Sequence, residues 1–399
     1  MLTRTTTLIL AVAAGIAVAN LYYIQPILEL IARDLHAGAR EAGWISLLMQ
    51  LGYALGILFC VPLGDILERR TLSVALLACT TFGLVAMALA PGITWLAVAA
   101  FAVGTATIVP QVLMPFAADL ATPENRGRIV ATVQTGLIVG MVYSRAAGGF
   151  IGAHFGWRMV FWYAAIITAL STVALTRALP LRKPHSTLTY AQLLRSLVTL
   201  TRAHPALRAS MGLGFCAFAT FSAFWTTIAF HLRTLGYGSD VVGTLGLTAL
   251  AGAFVAIPFG RLADRRGTVF TAAFAVATLA VTFAIFLIGA HSLVAFFIGM
   301  VCFPIGMQLN QISNQTRIFG LDALARSRLN TAYMCMTFMG GAVGAFAGAA
   351  AWQAGGWTAV CIFSLGSIAC AGLIVIWLRV LKVDAGPSLR TSDVPLGEG

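Results

Sequence analysis

Charged residues are scarce in this chain. Only 10% of its 399 residues are Asp, Glu, Lys or Arg, and 59% are hydrophobic. Soluble domains carry about 25% charged residues, and a soluble fold of this size needs more polar surface to cover its core. The composition excludes a soluble domain and an intrinsically disordered chain. It indicates a polytopic membrane protein.

The sequence also lacks the features of cofactor and enzyme chemistry. Its seven cysteines fall inside apolar segments, without a Cys-x-x-Cys pair and without histidines at metal-ligand spacing. The sequence contains no Walker loop, the motif expected for ATP-driven pumping, and no selectivity-filter sequence, the motif expected for a channel. The six histidines are scattered. We therefore predict no cofactor, no metal site and no enzymatic activity.

Twelve apolar segments are long enough to cross a membrane as helices. A helical span needs roughly 20 mostly apolar residues, and these segments are continuous rather than alternating like barrel strands. The first begins near Arg4 and superficially resembles a signal peptide, but its apolar run continues to Ile31, so we retain it as one helix. The predicted spans, numbered 1 to 12, are 5–32, 42–64, 72–91, 94–119, 129–153, 157–179, 208–232, 240–260, 268–290, 292–316, 328–352 and 356–381.

The basic residues orient the spans. The net charge is +12, and twenty of the 25 Lys and Arg residues lie at the termini or in the gaps after even-numbered spans. Four lie in the other gaps. By the positive-inside rule, both termini and the basic gaps face the cytoplasm. The charge thus serves topology, and we expect no nucleic-acid partner.

A long polar gap divides the spans six and six. The predicted units are an N-terminal six-helix bundle (1–179), a cytoplasmic linker (180–207), a C-terminal six-helix bundle (208–381) and a disordered cytoplasmic tail (382–399). An interfacial helix within 188–203 is an alternative for part of the linker. The halves repeat at an offset of 200 residues, which pairs Gln111 with Gln311, Arg126 with Arg326, Arg128 with Arg328, Gly140 with Gly340, Gly148 with Gly348, Gly156 with Gly356 and Trp157 with Trp357. Parallel repeats with a site between them are a transporter architecture.

The gaps after spans 2 and 8 carry related motifs. The first contains Asp65, Arg69 and Arg70, and the second contains Gly260, Asp264, Arg265 and Gly267. They resemble the signature G-x-x-x-D-(R/K)-x-G-(R/K)-(R/K) of the major facilitator superfamily. The first copy departs from it at Val61, Ile66 and Glu68. The resemblance implies an all-α membrane fold of two pseudo-symmetric six-helix bundles, with these loops as a latch that holds the inner gate shut.

Span 5 contains the glycines Gly136, Gly140, Gly148 and Gly149. Glycines at four-residue spacing let helix backbones approach closely, which predicts a tight helix interface. The segment resembles the family's antiporter signature G-x-x-x-G-P-x-x-G-G, with Ser144 and Arg145 in place of Gly and Pro. Phrases such as Asn20–Pro26 and Val109–Leu113 are similar to the bacterial drug, sugar and nucleoside efflux branch.

Arg145 lies deep within span 5. It is roughly 12 Å from the outer end of the helix, which is too far for its charge to reach bulk water easily, so the side chain should point into the bundle or a wet cavity. Its partner is an anionic group of the substrate or Glu29, or it only joins helix ends through carbonyl groups.

Four residues are candidates for proton coupling: Glu29, Arg145, Asp119 and His231. Burial would raise the pKa of a carboxyl such as Glu29, which shares a helical face with Tyr22 and Gln25. Structural alternatives remain open. Glu29 and His231 would then be interfacial residues, and Asp119 would pair with the arginines that follow span 4.

Polar and aromatic side chains that lipid would penalise predict the lining of a central cavity. We expect about half of them only to join helices. The predicted lining is Asn20, Tyr22, Tyr23, Gln25, Gln50, Tyr53, Gln111, Arg145, Phe224, Trp225, Gln308, Gln311, Asn314, Asn330 and Tyr333. Amides and rings suit a neutral or amphipathic organic solute.

The resemblance implies a secondary active exporter driven by protons and working by alternating access. Uptake by proton symport uses the same parts, and a receptor or scaffold without transport is an alternative of another class. We expect a monomer that crosses the inner (plasma) membrane many times. Its partners would be a small-molecule substrate, protons and the lipid bilayer.

Overall fold

The computed structural model describes residues 4–122, 125–180, 189–248, 266–322 and 325–380. Within these ranges the chain forms helices and no strands. The helices of spans 1 to 6 are Arg4–Ala19 and Leu28–Asp34 (span 1), Ala39–Cys60 and Leu63–Ile66 (span 2), Arg69–Ala88 (span 3), Ile93–Ala106 and Val109–Leu120 (span 4), Arg126–Phe155 (span 5) and Trp157–Ala178 (span 6). Tyr190–Ala203 is a linker helix, followed by Pro205–Thr234 (span 7), Ser239–Leu245 (start of span 8), Thr268–Ile288 (span 9), Leu293–Phe319 (span 10) and Arg326–Val380 (spans 11 and 12).

These helices make up the predicted twelve spans. Nine described helical stretches are long and apolar enough to cross a membrane. One of them, Arg326–Val380, breaks at Gly355 and Gly356 into spans 11 and 12. The interrupted span 1 and the described start of span 8 complete the set. The remainder of span 8, predicted to reach residue 260, lies outside the described residues.

Span 1 is not the single continuous helix that we predicted. The first helix ends at Ala19, and a 3-10 helix at Gln25–Ile27 precedes the second. Pro26 explains the break, because proline lacks an N–H group and clashes with the carbonyl of the preceding turn. Span 4 breaks in the same way before Pro110, and there Thr107 Oγ1 donates to the carbonyl of Ala17 at 2.7 Å. Such irregular backbone is tolerated at membrane depth because the protein interior satisfies it.

The two halves repeat the same helix contact. Span 5 packs closely on span 1, and span 11 packs closely on span 7. Glycines in these helices lie against the partner backbone at positions offset by 200: Gly140 on Gly15, Gly340 on Phe215, Gly148 on Tyr23 and Gly348 on Ala223. The predicted pseudo-symmetric fold is confirmed at the level of individual contacts.

The halves meet at their outer ends. In spans 2 and 11, Gly43 lies so close to Ala349 that a Cβ would collide with it. In spans 5 and 8, Ser239 Oγ donates to the carbonyl of Gly149 at 3.1 Å. Small residues thus let the bundles touch, and the outer side of their boundary is closed in this conformation.

The linker contains an amphipathic helix, the alternative considered for 188–203. Thr189 caps its first turn, and Leu193 and Leu197 are buried beneath it. The Tyr190 hydroxyl donates to the carbonyl of Phe59 at 2.9 Å, which ties the helix to the cytoplasmic end of span 2. Residues 181–188 and the tail 382–399 lie outside the described residues.

Candidate functional site

Arg145 lies at the boundary between the bundles. Its side chain is 1% exposed, and its Nε donates to Gln25 Oε1 of span 1 at 2.8 Å. Its carbonyl group packs against Gly243 of span 8 and its side-chain carbons pack against Gly246, and neither glycine leaves room for a side chain. Among the described residues, no carboxylate lies within salt-bridge distance of the guanidinium, and Nη2 is buried without a hydrogen-bond partner.

Three aromatic rings surround this guanidinium. Its central carbon lies 4.2 Å from the ring centre of Trp225, 4.6 Å from Tyr22 and 5.4 Å from Phe221. All three distances fall within the range of cation–π attraction. We call these rings, with Gln25 and Arg145, the Arg145 site. The rings partly offset the loss of water but supply no negative charge.

A cavity of about 80 Å³ lies against the Arg145 site. Gln308 of span 10 adds an amide to its wall. The remaining lining is apolar: Ile138, Met141, Met300, Phe303, Pro304 and Met307. Spans 5, 7 and 10 thus form a mostly apolar chamber with one buried positive charge at its edge.

A second, smaller cavity of about 10 Å³ lies on the other side of Gln25. Its polar lining includes Ser46 and Gln50 of span 2 and Ser222 of span 7. Each of these three has a buried oxygen without a hydrogen-bond partner in the described part of the chain. This volume is close to that of one water molecule, which would satisfy such groups.

Other predicted lining residues form pairs. Gln111 Nε2 lies 3.4 Å from the hydroxyl of Tyr53, whose ring centre is 4.2 Å from that of Phe338 across the bundle boundary. In the C-terminal bundle, the Tyr333 hydroxyl donates to Gln311 Oε1 at 3.2 Å. Both pairs join helices.

Several predicted lining residues lie away from the Arg145 site. Asn20 donates to Thr168 Oγ1 of span 6 at 3.2 Å, inside the N-terminal bundle. Tyr23 borders an apolar groove of about 470 Å³ between spans 1 and 5. Phe224 stacks on Phe286 inside the C-terminal bundle. None of these three borders the cavity beside Arg145 in this conformation, because Asn20 and Tyr23 lie in the turn after Ala19 and Phe224 lies on another face of span 7.

Two amides near the cytoplasmic half of the C-terminal bundle also make local contacts. Asn314 accepts a hydrogen bond from Arg317 at 2.9 Å and donates to Asn310 at 3.1 Å. Asn330 keeps a buried carbonyl oxygen without a partner in the described part of the chain.

Glu29 pairs with a different arginine from the one considered, whereas Asp119 pairs with the predicted Arg126 and also with Arg69. Glu29 Oε1 lies 3.8 Å from Arg233 Nε of span 7, so the hypothesis that Glu29 neutralises Arg145 is wrong. Asp119 Oδ2 is 2.6 Å from Arg69 Nη1, and its other oxygen is 3.9 Å from Arg126. The Glu29 pair joins the two bundles at their outer ends.

His231 is buried, not interfacial. Its Nε2 lies 2.7 Å from the carbonyl of Ala290, and its ring stacks on Trp357 at 4.5 Å. Only 4% of the residue is exposed. A proton on Nε2 would let the ring donate to this carbonyl, so His231 acts here as part of the helix packing.

The first latch motif forms a cluster within its own bundle. Arg69 donates through Nε to the carbonyl of Gly64 at 3.0 Å and contacts Asp65 at 3.5 Å as well as Asp119. Arg70 lies beside it in the first turn of span 3. Arg328, at the start of span 11 in the other bundle, forms no ion pair with Asp65, and its positive charge acts on this carboxylate more weakly than that of Arg69.

The second motif lies mostly outside the described residues, because Gly260, Asp264 and Arg265 are not described. Gly267 is described, and its φ of +85° is a conformation that favours glycine. It begins the turn into span 9.

Sequence reasoning missed part of the site. The apolar cavity lining carries no polar signal, and an apolar side chain in a membrane span faces lipid or protein equally well by composition. Ser46 and Ser222 were missed as well. Their signal would have been their position on the same helical faces as Gln50 and Trp225.

Two matching bundles that enclose a mid-membrane cavity at their boundary define a membrane carrier. The family model of the Major Facilitator Superfamily matches residues 10–320, and the chain belongs to this superfamily. It is a multi-pass transporter and not an enzyme.

Full-length relatives agree with this assignment. The chain is 38% identical over 379 residues to the "Uncharacterized transporter YgaY" of Escherichia coli O157:H7, covering 94% of this chain and 96% of that protein. It is 33% identical over 374 residues to the "Probable transporter SCO4007" of Streptomyces coelicolor, covering 92% and 85%. The solved structure of the nucleoside transporter NupG, in a mutant form, superposes with a TM-score of 0.74 at 12% identity, covering 94% of this chain and 99% of that one. At this identity the structural likeness concerns the fold alone.

Proposed function

We propose that this transporter exports a small amphipathic organic solute by alternating access, driven by protons, across the inner (plasma) membrane. The observation that supports it best is the cavity beside the Arg145 site, which lies where the two bundles meet. Rocking of the bundles about this boundary would expose the cavity to each side in turn. The chain would work as a monomer, because each chain contains both repeats.

The closed outer end supports this mechanism. Glycine and alanine contacts between spans 2 and 11 and between spans 5 and 8 can separate without leaving buried charges unpaired. The Glu29–Arg233 pair closes the same end and is partly exposed. Its exposure makes it a weak bond that a change of conformation can break.

Proton coupling is proposed to act through Glu29. Of the four candidates, it alone joins the two bundles through an ion pair. Protonation would remove the charge on Glu29 and weaken that contact. Asp119 is half exposed within its own bundle, His231 lies in an aromatic cluster, and Arg145 is better placed to bind the substrate.

Uptake by proton symport remains the rival, because it needs the same cavity and the same closure. The direction depends on whether substrate and proton bind the same state. A receptor without transport predicts binding but no flux.

The test is transport in sealed proteoliposomes. Ligands that raise the unfolding temperature of the purified protein would be tested for flux with an imposed pH gradient of either sign. Coupled export predicts that the substrate moves in the direction opposite to the proton flux, and symport predicts that both move in the same direction. Glu29→Gln should make flux independent of the gradient while Glu41→Gln, which removes an acid that caps span 2, should not. Binding without flux for every ligand would contradict transport.

A further inference from the structure

We propose that the substrate is a small organic anion, a carboxylate on an apolar or aromatic body, and that the Arg145 guanidinium binds its anionic group. This inference rests on the proposed transport function and specifies its substrate class. The sequence predicted a neutral or amphipathic solute. This inference keeps the amphipathic class and replaces the neutral one with an anion.

The first step is the missing counter-charge. A guanidinium that is 1% exposed loses nearly all its water, and a buried charge is costly unless it is paired. Arg145 has a neutral amide and three rings around it, and Glu29, the acid considered as its partner, is paired with Arg233. An anionic ligand would supply the charge that the described residues do not.

The second step is the unmet donor. Nε is already used by Gln25, while Nη2 has no partner among the described residues. A guanidinium presents its N–H groups in a planar fork that matches a carboxylate. Charge-assisted bonds of this kind are shorter and stronger than neutral ones.

The third step is the body of the ligand. Among the described residues, the lining of the cavity that Arg145 borders is almost wholly apolar, and Gln308 is its one amide. Phe221, Phe303 and Trp225 present rings to it. Inorganic anions would leave this lining without contact, whereas an aromatic or aliphatic body would fill it.

The fourth step is size. At about 80 Å³, the cavity is well below the 300–1,000 Å³ of pockets for drug-sized ligands. A ligand the size of one ring fits this description better than a large amphipathic drug. Benzoate is therefore a suitable probe, and benzamide is its neutral match in shape.

The test measures stabilisation of the purified full-length protein by benzoate, benzamide, acetate and chloride at equal concentration and ionic strength. We expect benzoate to bind about tenfold or more tighter than benzamide, since a hydrogen bond between charged groups is stronger than one to a neutral group. Acetate and chloride should be weaker than benzoate. Equal binding of benzoate and benzamide would overturn the inference, and equal binding of chloride and benzoate would overturn its organic part.

Variants locate the effect. Arg145→Gln should abolish the preference for benzoate over benzamide, and Arg145→Lys should retain part of it, because lysine keeps the charge but not the planar fork. Arg158→Gln, which removes an exposed positive charge at the outer end, is the control and should keep the full preference. A preference that survives in Arg145→Gln would overturn the assignment. If that variant does not fold, Arg145→Lys still tests the assignment, because an undiminished preference for benzoate in it would show that the planar fork of Arg145 does not bind the anion.

Flux separates this inference from the function on which it rests. Binding of benzoate that needs Arg145, without flux in proteoliposomes, would contradict transport but leave the anion site intact. Flux of neutral solutes with no discrimination against them would contradict the anion site but leave transport intact.

Discussion

A single arginine dominates the chemistry at the residue scale. In a membrane interior, an ionised side chain is rare and usually functional. Arg145 meets that description because its polar neighbours are neutral and its positive charge is stabilised by rings. An anionic ligand of the class proposed would supply the counter-charge that the described neighbours lack.

Gln25 offers a sharp test of this electrostatic reading. Gln25→Glu keeps the shape of the side chain and places a carboxylate at the 2.8 Å contact with Arg145 Nε. The new carboxylate would neutralise the guanidinium and compete with the ligand. We expect the unfolding temperature to be kept or raised and the affinity for benzoate to fall by about tenfold or more. Titration of the variant with benzoate measures both.

The matched control is Gln111→Glu. Gln111 contacts the hydroxyl of Tyr53, so the same change there does not neutralise Arg145. Benzoate affinity should stay near that of the natural protein. A similar loss in both variants would mean that any added negative charge is harmful, and that Arg145 has no special part in it.

Asp34 gives a prediction for pH. It accepts hydrogen bonds from Trp157 Nε1 at 2.8 Å and from Arg158 Nη1 at 2.7 Å, and these bonds hold the pKa of its carboxyl below the ordinary value. The carboxylate therefore stabilises the fold above a pH of about 3.9, and this contribution is lost as the pH falls through the lowered pKa. The effect is less than about 1 kcal/mol, because the side chain is half exposed.

The measurement compares unfolding temperatures of the natural protein and Asp34→Asn between pH 6 and pH 3. The variant should be less stable at pH 6, and the difference should shrink towards pH 3. A difference that stays constant over this range would contradict the assigned role.

At the scale of the helix, span 5 has two faces with different partners. Gly148 lies against Tyr23 of its own bundle, and the adjacent Gly149 lies against Ser239 and Gly243 of the other bundle. Of these two neighbouring residues, Gly148 thus packs within its bundle and Gly149 forms a contact between bundles. Only the second contact has to open when the bundles rock.

Gly149→Ala should therefore favour the conformation that is open to the outside. Its new Cβ would collide with the backbone of span 8, and separation of the outer ends relieves that collision. The readout is labelling of Ala349→Cys by a membrane-impermeant thiol reagent, in a background without the seven native cysteines. Ala349 is 1% exposed in the closed conformation, so opening should raise its labelling rate several-fold.

Gly148→Ala serves as the control for this prediction. Its Cβ would lie 2.8 Å from the Tyr23 carbonyl oxygen, inside one bundle, so it should lower stability without raising the labelling rate. Equal labelling in both variants would show that loosened packing, rather than outer opening, exposes the residue at 349.

The breaks in the helices show where sequence reasoning worked and where it failed. Hydrophobic length predicted the number of spans, because lipid thickness sets a minimum for each. Pro26 and Pro110 were visible, yet the extent of the interruptions was missed, because other helices supply the hydrogen bonds that make a break possible. Thr107, which donates to Ala17 across ninety residues of chain, is such a contact.

At the scale of the whole molecule, the repeat was predictable and the site was predictable only in part. Residues offset by 200 make equivalent close backbone contacts that only small residues allow. The repeat is therefore visible in the sequence as matching glycines. Polar residues such as Gln25 and Arg145 were predictable because lipid penalises them. The apolar lining, such as Met141 and Phe303, depends on how the bundles are placed together, which local composition does not encode.

The cytoplasmic end yields the last prediction, because Asp65 and Arg328 belong to opposite bundles and carry opposite charges that attract each other without forming an ion pair in this conformation. Asp65→Asn should slow exchange of bound substrate by roughly fivefold or more, since it removes an attraction between the bundles that favours one state. Benzoate affinity should be nearly unchanged, because the proposed substrate site lies elsewhere.

A double-mutant cycle of exchange rates measures the coupling between the two charges. If Asp65 and Arg328 act through each other, Arg328→Gln should add little to the effect of Asp65→Asn. Arg158→Gln, whose guanidinium pairs with Asp34 at the outer end and shares no partner with Asp65, should combine additively with Asp65→Asn. Additive effects of Asp65→Asn and Arg328→Gln would instead show that the motif only orients the chain in the membrane and plays no part in switching between states.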